Sequence, residues 1–143
     1  MANTTTPAGT APYTSRTALL ALGDTVALLA FAAIGRSNHG EAVSPGDVIG
    51  TALPFLAAWF VVASLIGALG RPGSAQSTQP GRLLPRAALA WIIAVPLALV
   101  IRGIAKGEQI QPAFAVVALL FNGLTLLGWR GLVSWLAWRG AGD

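Results

Sequence analysis

An all-α polytopic membrane protein, a bundle of four transmembrane helices with both termini in the cytoplasm, is the fold that this sequence predicts. Three observations predict it. Of 143 residues, 55% are hydrophobic and 10% charged, against roughly 25% charged in an ordinary soluble domain. A soluble domain so small would have to hide more apolar surface than its volume permits. The apolar residues gather in four runs, each near the roughly 20 residues that a spanning helix needs. The basic residues stand singly or in small groups between these runs, with more on one side than on the other. The net charge of +4 forms no clustered basic stripe, so the expected partner is the lipid bilayer and no nucleic acid.

Residues 1–17, rich in Thr, Ala and Pro, read as a flexible N-terminal tail. A cleaved leader over residues 16–34 is disfavoured by the single basic residue before the apolar run and the length of that run. The four-helix domain spans residues 18–130, with membrane segments at about 18–34, 48–69, 83–104 and 113–129. Pro45, Pro85 and Pro112 stand at the starts of the second, third and fourth segments, where a missing N–H has no intrahelical partner to lose. Ser44 and Asp47 add a hydroxyl cap and an acid at the positive end of the helix dipole. Pro54 and Pro96 fall inside segments and should free the carbonyls of Gly50 and Ile92. Residues 70–82 compose a Gly, Pro and Ser-rich linker. Residues 131–143 either extend the fourth helix or lie along the membrane interface.

Four spans place both termini and the middle linker on one side. That side carries Arg16, Arg71, Arg82, Arg86, Arg130 and Arg139, against Arg36, Arg102 and Lys106 on the other. The excess assigns the first side to the cytoplasm of the cell membrane. One faint repeat sets Ile34 to Glu41 and Pro45 beside Ile101 to Glu108 and Pro112, and shared loop chemistry is its expected cause.

Three groups of residues stand out from the apolar background. Asp24 lies within the first span, where an aspartate costs about 2.5–3.5 kcal/mol and each large aliphatic residue returns only about 0.3–0.6 kcal/mol. That span is therefore marginal alone. Asp24, Phe31 and Gly35 share one helical face, which should turn to the bundle interior. Asp24 is either a site for a proton or cation, or a structural group paired with Asn122 or Arg130 of the fourth span. At the outer end, Arg36, His39 and Glu41 face Arg102, and two guanidinium groups at one mouth are suited to a carboxylate or phosphate. Equally, they are arginines that snorkel to the headgroups. Phe31, Phe55, Trp59 and Trp91 are aromatic packing or ligand contacts, with the indole N–H groups expected on carbonyls freed by proline. Ala63 and Gly67 have the small-residue spacing of close helix approach.

No nucleophile elbow, zinc-protease helix or phosphate-binding loop is present, and one His without Cys makes a metal or haem site improbable. Neither a catalytic residue nor a cofactor is expected.

The residues Asp24, Phe31, Gly35-Arg36-Ser37-x-His39-x-Glu41, Thr51-Ala52-x-Pro54-Phe55-Leu56, Trp91, Arg102, Ala113-Phe114 and Leu127-Gly128-Trp129-Arg130 together resemble the small bacterial and archaeal membrane proteins grouped as domain of unknown function 3054. The resemblance covers about Leu19 to Arg130. It implies a four-helix membrane domain without an established activity, and it marks the same polar residues that insertion cost singled out. Two functions are then weighed. One is a non-enzymatic bundle acting by association, as a homo-oligomer or an accessory subunit of a larger membrane complex. The alternative is a small proton-coupled transporter or channel using Asp24 and the outer Arg36, His39, Glu41 and Arg102 cluster.

Overall fold

The structure, a computed structural model, describes residues 13–70 and 80–139, and among them all regular structure is α-helical. Four helices follow in order: α1 (Tyr13–Asn38), α2 (Pro45–Ile66), α3 (Pro80–Lys106) and α4 (Pro112–Arg139). Each is long and apolar enough to cross a bilayer, over Thr17–Asn38, Pro45–Ile66, Arg82–Lys106 and Pro112–Leu136. The chain is a multi-pass membrane protein.

Each helix packs on the next in sequence, and α4 packs back on α1. Contacts between opposite ends establish that neighbours are antiparallel. Thr17 at the start of α1 bonds the Leu69 carbonyl after α2, and Arg36 at the end of α1 bonds Thr51 in the first turns of α2. The connections at residues 39–44 and 107–111 therefore share one end of the bundle, here the hairpin end. The chain termini and the α2–α3 connection share the other, the terminal end.

The interior is apolar but for a few polar groups, and the exterior is apolar as well, unlike that of a soluble protein. Asp24, Asn122 and Arg130 are 0–2% exposed, whereas Leu65, Leu124 and Ile104 are 74–78% exposed. Such a surface is stable only against hydrocarbon. Much of the core is alanine: Ala58 and Ala63 on α2 lie in one cluster with Ala87, Ala90, Ala94 and Ala98 on α3. Small side chains bring backbones close enough for extensive dispersion contact, the main attraction available where lipid competes for every apolar face.

Helix stops explain the faint repeat. Gly40 and Gly107 both take the left-handed conformation, at φ 69° and 64°. In both, the next N–H reaches back to a helix carbonyl, Glu41 to Arg36 at 2.9 Å and Glu108 to Gly103 at 3.1 Å. This is the Schellman arrangement, repeated because glycine alone enters that conformation without strain. Gly67 ends α2 in the same manner, with Ala68 N–H on the Ala63 carbonyl at 2.7 Å. The helix therefore stops at Ile66 rather than at Leu69 as hydropathy alone suggests, because the stop is a backbone event and the apolar run continues past it.

Three other boundaries also move. Pro80, not Pro85, takes the first position of α3. Pro85 lies inside the helix, where its missing N–H leaves the carbonyl four residues earlier, in the first turn, without its usual intrahelical donor. Helix α1 begins at Tyr13, inside the expected tail, of which residues 1–12 lie outside the described residues, as do 71–79 of the expected linker. Beyond Trp129, α4 continues unbroken to Arg139, so residues 131–139 extend the fourth helix, and Arg139 stacks on Trp135 with its guanidinium carbon 3.8 Å from the ring centroid. At its start α2 is closed by the Ser44 hydroxyl, which accepts from the Asp47 N–H at 3.4 Å.

Two glycines permit tight helix contacts through tryptophan. A Cβ on Gly123 of α4 would stand 2.5 Å from the Trp91 ring of α3, whereas one on Gly35 would meet nothing within 4 Å. Gly123→Ala should therefore lower the thermal midpoint in detergent through overpacking, by about 1–3 kcal/mol. Gly35→Ala should leave the midpoint unchanged or raise it, by about 0.5–1 kcal/mol of helix propensity. Equal midpoints for the two variants would contradict the packing described.

Candidate functional site

The interior polar site is assembled by three helices. Asp24 lies seven residues into the apolar part of α1, which begins at Thr17, or about 10 Å at 1.5 Å per residue. Arg130 lies six residues before the apolar part of α4 ends at Leu136, about 9 Å by the same rise. Because the helices are antiparallel, the two depths coincide. The guanidinium closes on the carboxylate as a fork: Nε donates to Oδ1 at 2.9 Å, and Nη2 donates to Oδ2. Both side chains are buried.

Two further bonds come from α2 and the turn that follows it. Trp59 Nε1 donates to Asp24 Oδ2 at 2.9 Å, and Arg130 Nη1 donates to the Ala68 carbonyl at 2.6 Å. That carbonyl is free because Gly67 has already turned the chain out of the helix. The indole ring of Trp59 also lies beneath the guanidinium, 5.4 Å from its carbon to the centroid, in reach of cation–π attraction. Charge is balanced within the site, and each carboxylate oxygen and each guanidinium nitrogen has a partner. Gly23 makes the approach feasible, because a Cβ there would overlap the Trp129 indole beside Arg130.

Of the two partners expected for Asp24, the fold brings up Arg130 and leaves Asn122 aside. Asn122 is buried, its Nδ2 donates to the Ala118 carbonyl of its own helix at 2.7 Å, and its Oδ1 has no partner among the described residues, nor has Trp129 Nε1. The indole partners also differ from expectation. Trp59 bonds Asp24, and Trp91 donates to the Leu119 carbonyl at 3.0 Å, not to a carbonyl stranded by proline. Gly123, one turn beyond Leu119, leaves room for that ring. Phe31 packs edge-on against Phe55, with centroids 5.1 Å apart, and against Phe121 at 5.7 Å.

At the hairpin end, Arg36, His39, Glu41 and Arg102 do meet. They share a small cavity of about 40 Å³ with Phe31 and Phe114. The two arginines are in different electrostatic states. Arg36 donates from Nε to the Ala42 carbonyl at 2.6 Å and from Nη1 to Thr51 at 3.0 Å. It also pairs with Glu41 at 3.0 Å and stands 3.9 Å from Asp47. Arg102 instead lies over the Phe114 ring, its carbon 5.3 Å from the centroid. Beside this cavity opens a cleft of about 800 Å³ between the ends of α1, α3 and α4, whose lining includes Asn38, His39, Arg102, Glu108, Phe114 and Val117.

Sequence reasoning found Asp24, Arg130, Trp59, Arg36 and Arg102, but not the Ala68 carbonyl, Thr51 or Asp47 as partners. A backbone acceptor has no residue signature; its only herald is the Gly67 stop three residues after Ser64. Among the described residues no group of three potential metal ligands occurs.

A four-helix membrane bundle, closed at one end by a buried Asp–Arg–Trp cluster and cleft at the other, is the class that fold and site define. Within that class the chain belongs to the family described as protein of unknown function (DUF3054), which matches residues 21–133. No curated protein and no solved structure matches it.

Removing one member of a buried pair leaves the other charged in a medium that cannot solvate it. Asp24→Asn and Arg130→Gln should each lose about 3–5 kcal/mol of stability in detergent, and the double variant should lose clearly less than the sum. Additive losses in such a double-mutant cycle would show that the two side chains do not share an interaction.

Proposed function

We propose that this protein is a non-enzymatic membrane bundle that acts by association, as a homo-oligomer or as an accessory subunit of a larger membrane complex. The observation that carries the reading is the closed state of Asp24. A carboxylate that relays protons needs an exchangeable partner and a wet approach. Asp24 is instead fully buried, held by the Arg130 fork and the Trp59 indole, and it lines neither of the two cavities at the hairpin end. Such a group acts as a clasp between helices. Exposed apolar residues on all four helices, among them Leu22, Leu65, Ile104 and Leu124, offer lateral faces to lipid or to another helix. The alternative, a proton-coupled transporter, would have to break the clasp in each cycle.

Both termini are assigned to the cytoplasm. Arg130 no longer counts toward this, since its charge is spent inside the bundle. Arg16, Arg71, Arg82, Arg86 and Arg139 remain, against Arg36, Arg102 and Lys106, and the inequality keeps its sign.

Proteoliposomes loaded with a pH-sensitive dye test the function. Wild type and Asp24→Asn should both leak protons no faster than empty liposomes, while native mass spectrometry of the wild type should give a discrete oligomer or a stoichiometric complex. Proton-linked flux that Asp24→Asn abolishes in a folded protein would sink the association reading. Orientation has its own test, helped by the absence of cysteine. Glu108→Cys should react with an impermeant maleimide on intact cells, and Ser74→Cys only after the membrane is opened. The reverse pattern would invert the topology.

A further inference from the structure

We propose that the cleft at the hairpin end is a binding site for an amphiphilic anion, a molecule with a phosphate or carboxylate head and an alkyl chain, whose head is held by Arg102. This goes beyond the association reading and stands on different residues.

The first observation is the state of Arg102. It lies four residues inside the apolar part of α3, which ends at Lys106, about 6 Å below that end. It is partly buried. Its guanidinium carbon lies over the Phe114 ring, 5.3 Å from the centroid, a contact that engages the π face by cation–π attraction and takes up none of the N–H donors as hydrogen bonds to oxygen. Among the described residues no carboxylate lies within salt-bridge distance of it and no protein acceptor takes its N–H groups. The contrast with Arg36 is informative, because Glu41, which lines the small cavity with both arginines, is already taken by Arg36. A guanidinium at this depth, without a counter-charge, gains from an oxyanion that can accept two of its parallel N–H bonds.

The second observation is the space beside it. The cleft has a volume of about 800 Å³, within the range of roughly 300–1,000 Å³ that small-molecule sites occupy. Its polar groups, among them Asn38, His39, Glu41, Arg102 and Glu108, belong to the helix ends and the 39–44 and 107–111 connections, whereas Phe31, Leu99 and Val117 line it deeper in the bundle. Phe31 is seven residues from the end of α1 at Asn38, so the apolar part reaches about 10 Å down from the helix end. A chain entering there passes down toward Phe31 and the acyl region while its head stays at the level of Arg102, just inside the helix ends. Helices α1 and α4 are joined by Asp24 with Arg130 and by Phe31 with Phe121, and the cleft occupies the gap between their other ends. Of the two acids that line the cleft, Glu41 is neutralised by Arg36, and Glu108 is exposed at the rim, where water screens its repulsion of an anion.

The shared chemistry, an oxyanion with an apolar tail, admits a lipid head or a free anion as its source, and the probes separate them. Wild-type protein in phosphatidylcholine nanodiscs is titrated with dodecyl phosphate, with dodecyltrimethylammonium and with inorganic phosphate, and binding is read by native mass spectrometry and by shift of the thermal midpoint. Saturable binding of one dodecyl phosphate per chain is expected, at least tenfold tighter than inorganic phosphate, with no saturable binding of the cation. Arg102→Gln should weaken dodecyl phosphate at least tenfold. Gly35→Leu should do the same with Arg102 intact, because Gly35 lines the cleft and a Cβ there meets no atom within 4 Å, so the side chain enters the cleft rather than a packed neighbour. Its helix should be undisturbed, so loss of binding cannot be charged to misfolding. Equal affinity for the cation, unchanged affinity in both variants, or inorganic phosphate binding as tightly as dodecyl phosphate would each overturn the proposal.

Discussion

A carboxylate and a guanidinium in hydrocarbon have no solvent to turn to, so each must find the other before either is tolerable. That constraint organises this bundle. Asp24 and Arg130 are 106 positions apart in sequence, yet neither α1 nor α4 is comfortable in lipid until they are adjacent at the same depth. The register of the two helices follows: Gly23 opens a place for the Trp129 ring, and one residue on, the charges meet. Helix α2 is drawn in by the same requirement, because the fork leaves further carboxylate acceptor sites and guanidinium N–H groups, and Trp59 and the Ala68 carbonyl each take one. A half-satisfied polar network in this medium would be worse than none.

The bundle is thereby held by two unlike means. Helices α2 and α3 meet through alanines, with Ala58, Ala63, Ala90, Ala94 and Ala98 almost wholly buried, and their attraction is the summed dispersion of close backbones. Helices α1 and α4 are held by directed bonds near the terminal end and by the Phe31–Phe121 contact further along. Dispersion between small residues acts along the whole length of a seam. A clasp acts at one depth, and the far ends of α1 and α4 are left to define a cleft. The asymmetry between a closed end and an open one thus arises from which interaction joins which pair.

At the open end, charge is distributed by local sequence rather than by long-range pairing. The Gly40 turn brings Glu41 back over Arg36, and the cap that starts α2 brings Asp47 near the same guanidinium. The matching Gly107 turn on α3 places Glu108 at the rim without pairing it to Arg102. One loop motif, used twice, neutralises one arginine and leaves the other on an aromatic ring.

The amino-acid sequence by itself determined the solvent, the number of spans and the polar residues of consequence, because each is a matter of transfer free energy that a side chain carries wherever it sits. It likewise marked Asp24 as too costly to stand alone, and offered Arg130 as one of two answers. The choice between Arg130 and Asn122 was decided only by the tertiary structure, since it depends on helix order, tilt and a depth match that no local pattern encodes. The end of α2 at Ile66, the continuation of α4 through Arg139, and the Ala68 carbonyl as an acceptor were out of reach for the same reason. Hydropathy measures how well residues tolerate lipid, whereas a helix stop and a backbone acceptor are properties of main-chain geometry, which becomes specific only when neighbouring helices are in place.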